Sequence, residues 1–101
     1  MKMRFDVECV WKMLKDVGIV YTVRSYELKD SKVVVEGIGI CKRSLVGEIS
    51  KVRDLKEYWK LSGFEKLGDW VDVIKRMYGS KRKFLYCVEV ISGGGPNAQI
   101  G

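Results

Sequence analysis

LSGFEKLGDWVDVIKRMYGSKRKFLYCVEVI, residues 61–91, decides the fold class of this chain. Its apolar residues Leu67, Trp70, Val71, Ile74, Met77 and Tyr78 recur at the spacing of one helical face, and Asp69, Asp72, Lys75 and Arg76 take the other. Gly79 stands where a helix C-terminus favours a left-handed residue. Residues 80–83 read as a polar, basic turn. After it, Phe84, Tyr86, Val88 and Val90 alternate into one apolar face, and the opposite face holds Leu85, Cys87 and Ile91 with Glu89 as its one charge. A strand apolar on nearly both sides belongs inside a sheet. The stretch therefore predicts a helix packed beside a central strand.

Upstream, residues 6–16 predict a first helix with Val7, Val10, Trp11 and Leu14 on one face, Asp6 as its N-cap and Gly18 as its stop. Residues 19–26, IVYTVRSY, predict the first strand. Alternation puts Ile19, Tyr21 and Val23 on one face and Thr22, Arg24 and Tyr26 on the other, with Thr22 and Arg24 about 7 Å apart. Residues 28–31 form a turn. Residues 32–40, KVVVEGIGI, predict a second strand in which Gly37 and Gly39 mark a bulge or sharp bend. Lys42, Arg43 and Ser44 read as a basic turn into a third, antiparallel strand over residues 45–52. A short helix begins at Asp54, with Asp54 and Glu57 as its capping box and Leu55, Tyr58 and Trp59 on its buried side. Ser62 and Glu65 offer a second capping box, and Phe64 is placed to plug the core between helices.

The end of the chain, SGGGPNAQIG over residues 92–101, has no periodicity and reads as a loosely attached tail. Its glycines precede no helix that would cap a phosphate, so it is not read as a phosphate loop. The order of elements predicts an α+β fold of one domain over residues 1–91. Its architecture is a small open β-barrel of mostly antiparallel strands with helices packed against one side.

Composition narrows the function classes. The chain has 101 residues and is 47% hydrophobic, enough for one domain with its own core. No apolar run approaches membrane-spanning length and MKMRFDVEC lacks a signal-peptide pattern, so a cytoplasmic chain without a membrane partner is expected. Cys9, Cys41 and Cys87 are odd in number and lie in apolar neighbourhoods without a CxxC pair, which predicts buried free thiols. The chain has no histidine. That excludes Ser-His and Cys-His catalysis and removes the commonest metal ligand, so neither metal nor cofactor is expected. The 19 Lys and Arg against 13 Asp and Glu leave a net charge of +6. That excess suits nucleic acid and suits a solubilising surface equally.

Thr22 and Arg24 are the residues whose chemistry stands out. Arg24 brings a planar fork of donors suited to phosphate or a base edge, Thr22 a hydroxyl, and Tyr26 a ring for stacking. The plainer alternative pairs Arg24 with Glu27, Glu36 or Glu48 at a sheet edge and leaves Thr22 as a strand former. Lys42 with Arg43, and Lys81, Arg82 and Lys83 in the turn before the last strand, are candidates for phosphate contacts.

On these residues the chain resembles the ASCH domain family of the PUA-like fold. Residues 21–27, YTVRSYE, after the first helix, look like the family's signature strand. Ser62, Gly63 and Phe64, with Trp70, Ile74, Tyr78 and Gly79, are similar to its helical insert, and residues 84–90 to its closing strand. The resemblance covers residues 1–91. The family pattern is approximately G-x-K-x-x-E/T-x-R. Thr22 and Arg24 match its last two marked positions, its lysine position falls on Ile19, and Lys15 is the nearest lysine that would reach the same space. Some family members are implied to be amidohydrolases of acetylated cytidine that use the lysine, the threonine and a glutamate of the insert. The insert's glutamate position falls close to Ser62 with Glu65 displaced from it, so the set here would be Lys15, Thr22 and Glu65. Other members resemble RNA-binding or RNA-cleaving proteins. The expected activity is therefore binding of RNA or a nucleotide in a cleft between the first strand and the helical insert. A small hydrolase of modified nucleosides or RNA, and a protein-interaction module, stand as alternatives.

Overall fold

The computed structural model describes residues 2–93. Its strands are β1 (Lys2–Met3), β2 (Ile19–Arg24), β3 (Ser31–Val35), β4 (Gly39–Ile49) and β5 (Lys83–Gly93), and its helices are α1 (Glu8–Val17) and α2 (Leu67–Tyr78). Two 3-10 segments, Val52–Glu57 and Trp59–Leu61, join β4 to α2. The strands make one mixed sheet in the order β1-β3-β4-β5-β2. All pairs are antiparallel except β1 with β3. The sheet curls into a half-barrel, as the sequence predicts, with α1 packed inside the curl and α2 on its outer face. β5 has a strand on each side, the central place its two apolar faces require.

The curvature comes from two register shifts between β4 and β5, one between Ile40 and Cys41 and one between Leu45 and Gly47. The extra residues, Ile91 on β5 and Val46 on β4, bend their strands. Of the bulge or sharp bend expected at Gly37 and Gly39, the structure has the bend, and it ends the strand. β3 stops at Val35, Val35 pairs with Gly39, and the three residues between them are the turn of a tight hairpin. Gly37 has φ +80°, and a Cβ there would stand 2.9 Å from Cζ2 of Trp11. Both facts demand glycine. Trp11 seals this turn by donating from Nε1 to the Glu36 carbonyl at 2.9 Å.

The hairpin moves the next expectation as well. Lys42, Arg43 and Ser44 are not a turn but the middle of β4, opposite Glu89, Val88 and Cys87 of β5. Alternation then puts Cys41 and Arg43 inside and Lys42 outside. The first long strand ends at Arg24, so Tyr26 belongs to the loop that follows. The expected caps differ too. The α1 N-cap is Val7 with no side-chain cap, and Asp6 lies 3.7 Å from Arg4 Nε instead. Asp54 Oδ2 accepts from the Lys51 amide at 3.3 Å, and Ser62 Oγ from the Phe64 amide at 3.2 Å. Glu57 and Glu65 complete no capping box. Ser92 and Gly93 belong to β5, and the rest of the expected tail, residues 94–101, lies outside the described residues.

Each face of the sheet carries its own core. Inside the curl, Val10 and Leu14 of α1 pack on Met3, Val20, Val33, Val35, Cys41 and Val88, with Ile38 of the hairpin turn. Leu14 is fully enclosed, and Leu14→Ala would cost about 2–5 kcal/mol. On the outer face, Val23 and Leu85 pack against Leu55, Trp70 and Ile74. Phe64 touches both cores. It is set there by Gly63, whose φ is +92° and where a Cβ would fall 2.5 Å from the Cys9 carbonyl oxygen, so α1 and this turn meet backbone to backbone.

Candidate functional site

β2 is an edge strand, bonded to β5 on one side. Beyond its other side lies a cleft between the segment leading into α1 and the face of α2. Phe5, Val7 and Val10 line one wall, Trp70, Ile74, Met77 and Tyr78 the other, and Thr22 and Arg24 belong to the β2 side. Its cavity volume is about 40 Å³, room for a few waters.

Thr22 and Arg24 share the inward face of β2, opposite Tyr86 and Phe84 of β5. Thr22 is 7% exposed, and no hydrogen bond holds its hydroxyl among the described residues. Arg24 places its guanidinium 5.2 Å from the centre of the Phe5 ring and donates from Nη2 to the Arg4 carbonyl at 2.9 Å. Its Nε is buried and has no partner. None of Glu27, Glu36 or Glu48 pairs with it. A buried donor without an acceptor costs about 1–3 kcal/mol. An acceptor entering the cleft would recover part of that cost.

Tyr78 ends α2 beside this donor. Burial pushes its phenol up, the Arg24 guanidinium opposes the rise, and Tyr26 and Asp6 add to it. Tyr78 is therefore neutral near pH 7 and has a proton to donate. As members of the apolar stripe of α2, Trp70, Met77 and Tyr78 are expected in the core. The available signal was the length of the α2 stripe. Trp70 and Ile74 are buried, whereas Met77, one turn on, is 42% exposed.

The other expected site residues lie elsewhere. Lys15 stands with Nζ 5.0 Å over the Trp11 ring, Glu65 is exposed in the turn before α2, and neither lines the cleft. The structure therefore does not bring Lys15, Thr22 and Glu65 together there. Lys42 is exposed on the outer face of β4. Arg43 is 2% exposed inside the curl, donating from Nη2 to Ser31 Oγ at 3.0 Å, with its guanidinium 5.6 Å from the Tyr86 ring centre. Tyr26 is 41% exposed, and its carbonyl accepts from the Tyr86 hydroxyl at 2.6 Å. The same hydroxyl accepts from the Leu28 amide at 2.8 Å, so Tyr86 pins the loop between β2 and β3.

In the basic turn, Lys81 is exposed. Arg82 forms a two-pronged pair with Glu48, both contacts at 2.9 Å, which holds the Glu48 carboxyl below its ordinary range. Lys83 Nζ reaches the carbonyls of Gly79 at 2.6 Å and Lys81 at 2.9 Å, closing the end of α2. Two of the three cations are thus engaged within the fold.

The cysteines are free, and burial raises all three thiols. Among the described residues no three His, Cys, Asp or Glu side chains form a metal site, and no helix is long and apolar enough to cross a membrane. No protein-family description, curated protein or solved structure matches this chain.

Proposed function

We propose that this is an ASCH-like domain of the PUA-like kind and that it binds RNA by taking an unpaired nucleotide at the cleft between β2 and α2. The observation that carries the reading is the pair of unused groups on one strand face. Among the described residues the Thr22 hydroxyl and the Arg24 Nε proton have no hydrogen-bond partner, and aromatic side chains flank them. Donors of this kind suit the acceptor edge of a base or a phosphate oxygen, and Phe5, Trp70 and Tyr78 offer apolar and aromatic surface for the base. The cleft is smaller than a nucleotide, so entry requires side chains to move. Met77, half-exposed and unbranched, is the side chain best suited to swing aside. Exposed Lys81 would add a phosphate contact that strengthens binding without reading sequence. Binding is favoured over hydrolysis because neither Lys15 nor Glu65 lines the cleft.

Fluorescence anisotropy with single-stranded, duplex and hairpin RNA at two salt concentrations tests this. The reading expects preference for unpaired RNA, loss of affinity with salt, and about tenfold weakening by Arg24→Ala and by Thr22→Val. Salt-sensitive binding indifferent to both substitutions would reduce the interaction to nonspecific surface charge. Absence of binding at low salt would overturn it.

A further inference from the structure

The described residues cover only half of the outer face of the sheet. Where β2, β5 and the end of β4 present Tyr21, Val23, Leu85 and Ile49, the 3-10 segments and α2 lie over them. Where β3 and the start of β4 present theirs, no described element does. The register there is regular. Lys32 is opposite Lys42, and Val34 is opposite Ile40. Lys2 of β1 stands beside Val34. Val34 is 44% exposed, Ile40 41%, and Ile91, displaced by the bulge next to Ile40, 48%.

Two features of this patch oppose stability. Like charges directly opposite on neighbouring strands repel, and no salt bridge among the described residues engages Lys2, Lys32 or Lys42. Three aliphatic side chains are left in water beside them. Glu89, opposite Lys42 on β5, bounds the patch on one side.

We propose that this open half docks an acidic amphipathic helix of a partner protein, lying on Val34, Ile40 and Ile91 as α2 lies on the other half, with its carboxylates against Lys2, Lys32 and Lys42. Charge complementarity selects this occupant. A second copy would bring the same three lysines against these. Nucleic acid would find no aromatic platform, and the aliphatic side chains would gain nothing against ribose and phosphate. A bilayer would be met by three short side chains that project no farther than the lysines around them. The inference is independent of the RNA cleft, because no residue of the patch lines that cleft.

The probe is a labelled helical peptide of about 18 residues with leucines along one stripe and glutamates flanking it. It is titrated with the protein by anisotropy. Saturable binding is expected, weakened about tenfold by the pair Val34→Thr and Ile40→Thr and by the pair Lys32→Glu and Lys42→Glu. It should be unchanged by Arg24→Ala, and absent for the same peptide with lysine in place of glutamate. Threonine keeps the strand propensity at these exposed positions, and circular dichroism checks each variant. Absence of binding overturns the proposal. So does binding that the lysine pair affects and the threonine pair does not, which would mean charge alone. Binding of single-stranded RNA or of phosphatidylserine vesicles that both pairs abolish, without peptide binding, assigns the face to those ligands instead. Dimerisation in sedimentation that the threonine pair abolishes assigns it to a second copy.

Discussion

Two arginines point to the inner wall of the half-barrel, Arg43 from β4 in the middle of the sheet and Arg24 from β2 at its edge. Each lays its guanidinium near an aromatic ring, 5.6 Å from Tyr86 for Arg43 and 5.2 Å from Phe5 for Arg24. Arg43 has β3 on one side and β5 on the other, and Ser31 and Tyr86 on those strands enclose it to 2% exposure. Arg24 has β5 on one side and the cleft on the other, so its side chain lines an opening. The same residue type on the same face is therefore an internal strut in one place and a candidate ligand contact in the other. Position in the sheet decides which.

The largest test of that contrast is Arg43→Ala. It removes an enclosed side chain and its contacts, and denaturant unfolding should show a loss of about 3 kcal/mol. Arg24→Ala should cost less than about 1 kcal/mol in the same measurement while weakening RNA binding about tenfold. Equal losses of stability at the two sites would break the distinction.

Tyr86→Phe comes next. It keeps the ring beneath Arg43 but strips the hydroxyl from the Leu28 amide and the Tyr26 carbonyl, for an expected loss of about 1–2 kcal/mol in stability. Faster amide exchange at Leu28 would locate the effect in the loop, away from the arginine.

A smaller effect reads the Arg24 environment directly. Because Arg24 opposes the upward push of burial on Tyr78, Arg24→Ala should raise the Tyr78 phenol further in an absorbance titration, and Arg43→Ala should leave it in place. Burial also raises Tyr21 and the three thiols. The unfolded chain then releases these protons first as pH rises past the ordinary thiol and phenol values of 9.0 and 10.0. Stability is unaffected by these groups below that range and falls above it. The smallest expected change is Arg82→Ala, whose exposed pairing with Glu48 should leave the melting temperature unmoved at moderate salt.

α2, β5 and the shared face of Thr22 and Arg24 were legible because their periodicities run unbroken through the residues that set them. The segment around Arg43 was not. An inward arginine between two outward residues imitates the polar run of a turn, and only the pairing of Cys41 and Arg43 with β3 and β5 shows that the strand continues. Gly37 and Gly39 signal a break in a strand, but not whether the break is a bulge or a turn. The Trp11 ring that closes on Gly37 comes from a helix more than twenty residues away, and nothing local announces it. β1 has two residues, too few for alternation to show. The cleft was half legible. Its β2 side follows from strand alternation, but its walls come from residues 5–10 and from one face of α2, which meet only in the folded chain.

The place of β5 has a consequence for the order of events in synthesis. It bonds to β4 on one side and to β2 on the other, so until residues 83–93 are made the sheet exists as two unjoined parts, β1-β3-β4 and β2 alone. β2 leaves the ribosome about sixty residues before its hydrogen-bonding partner. During that interval Val20 and Val23 have no neighbouring strand to cover them. At typical rates of translation this lasts several seconds. The nascent chain is most open to wrong pairings in that window, and chaperones have most to gain there.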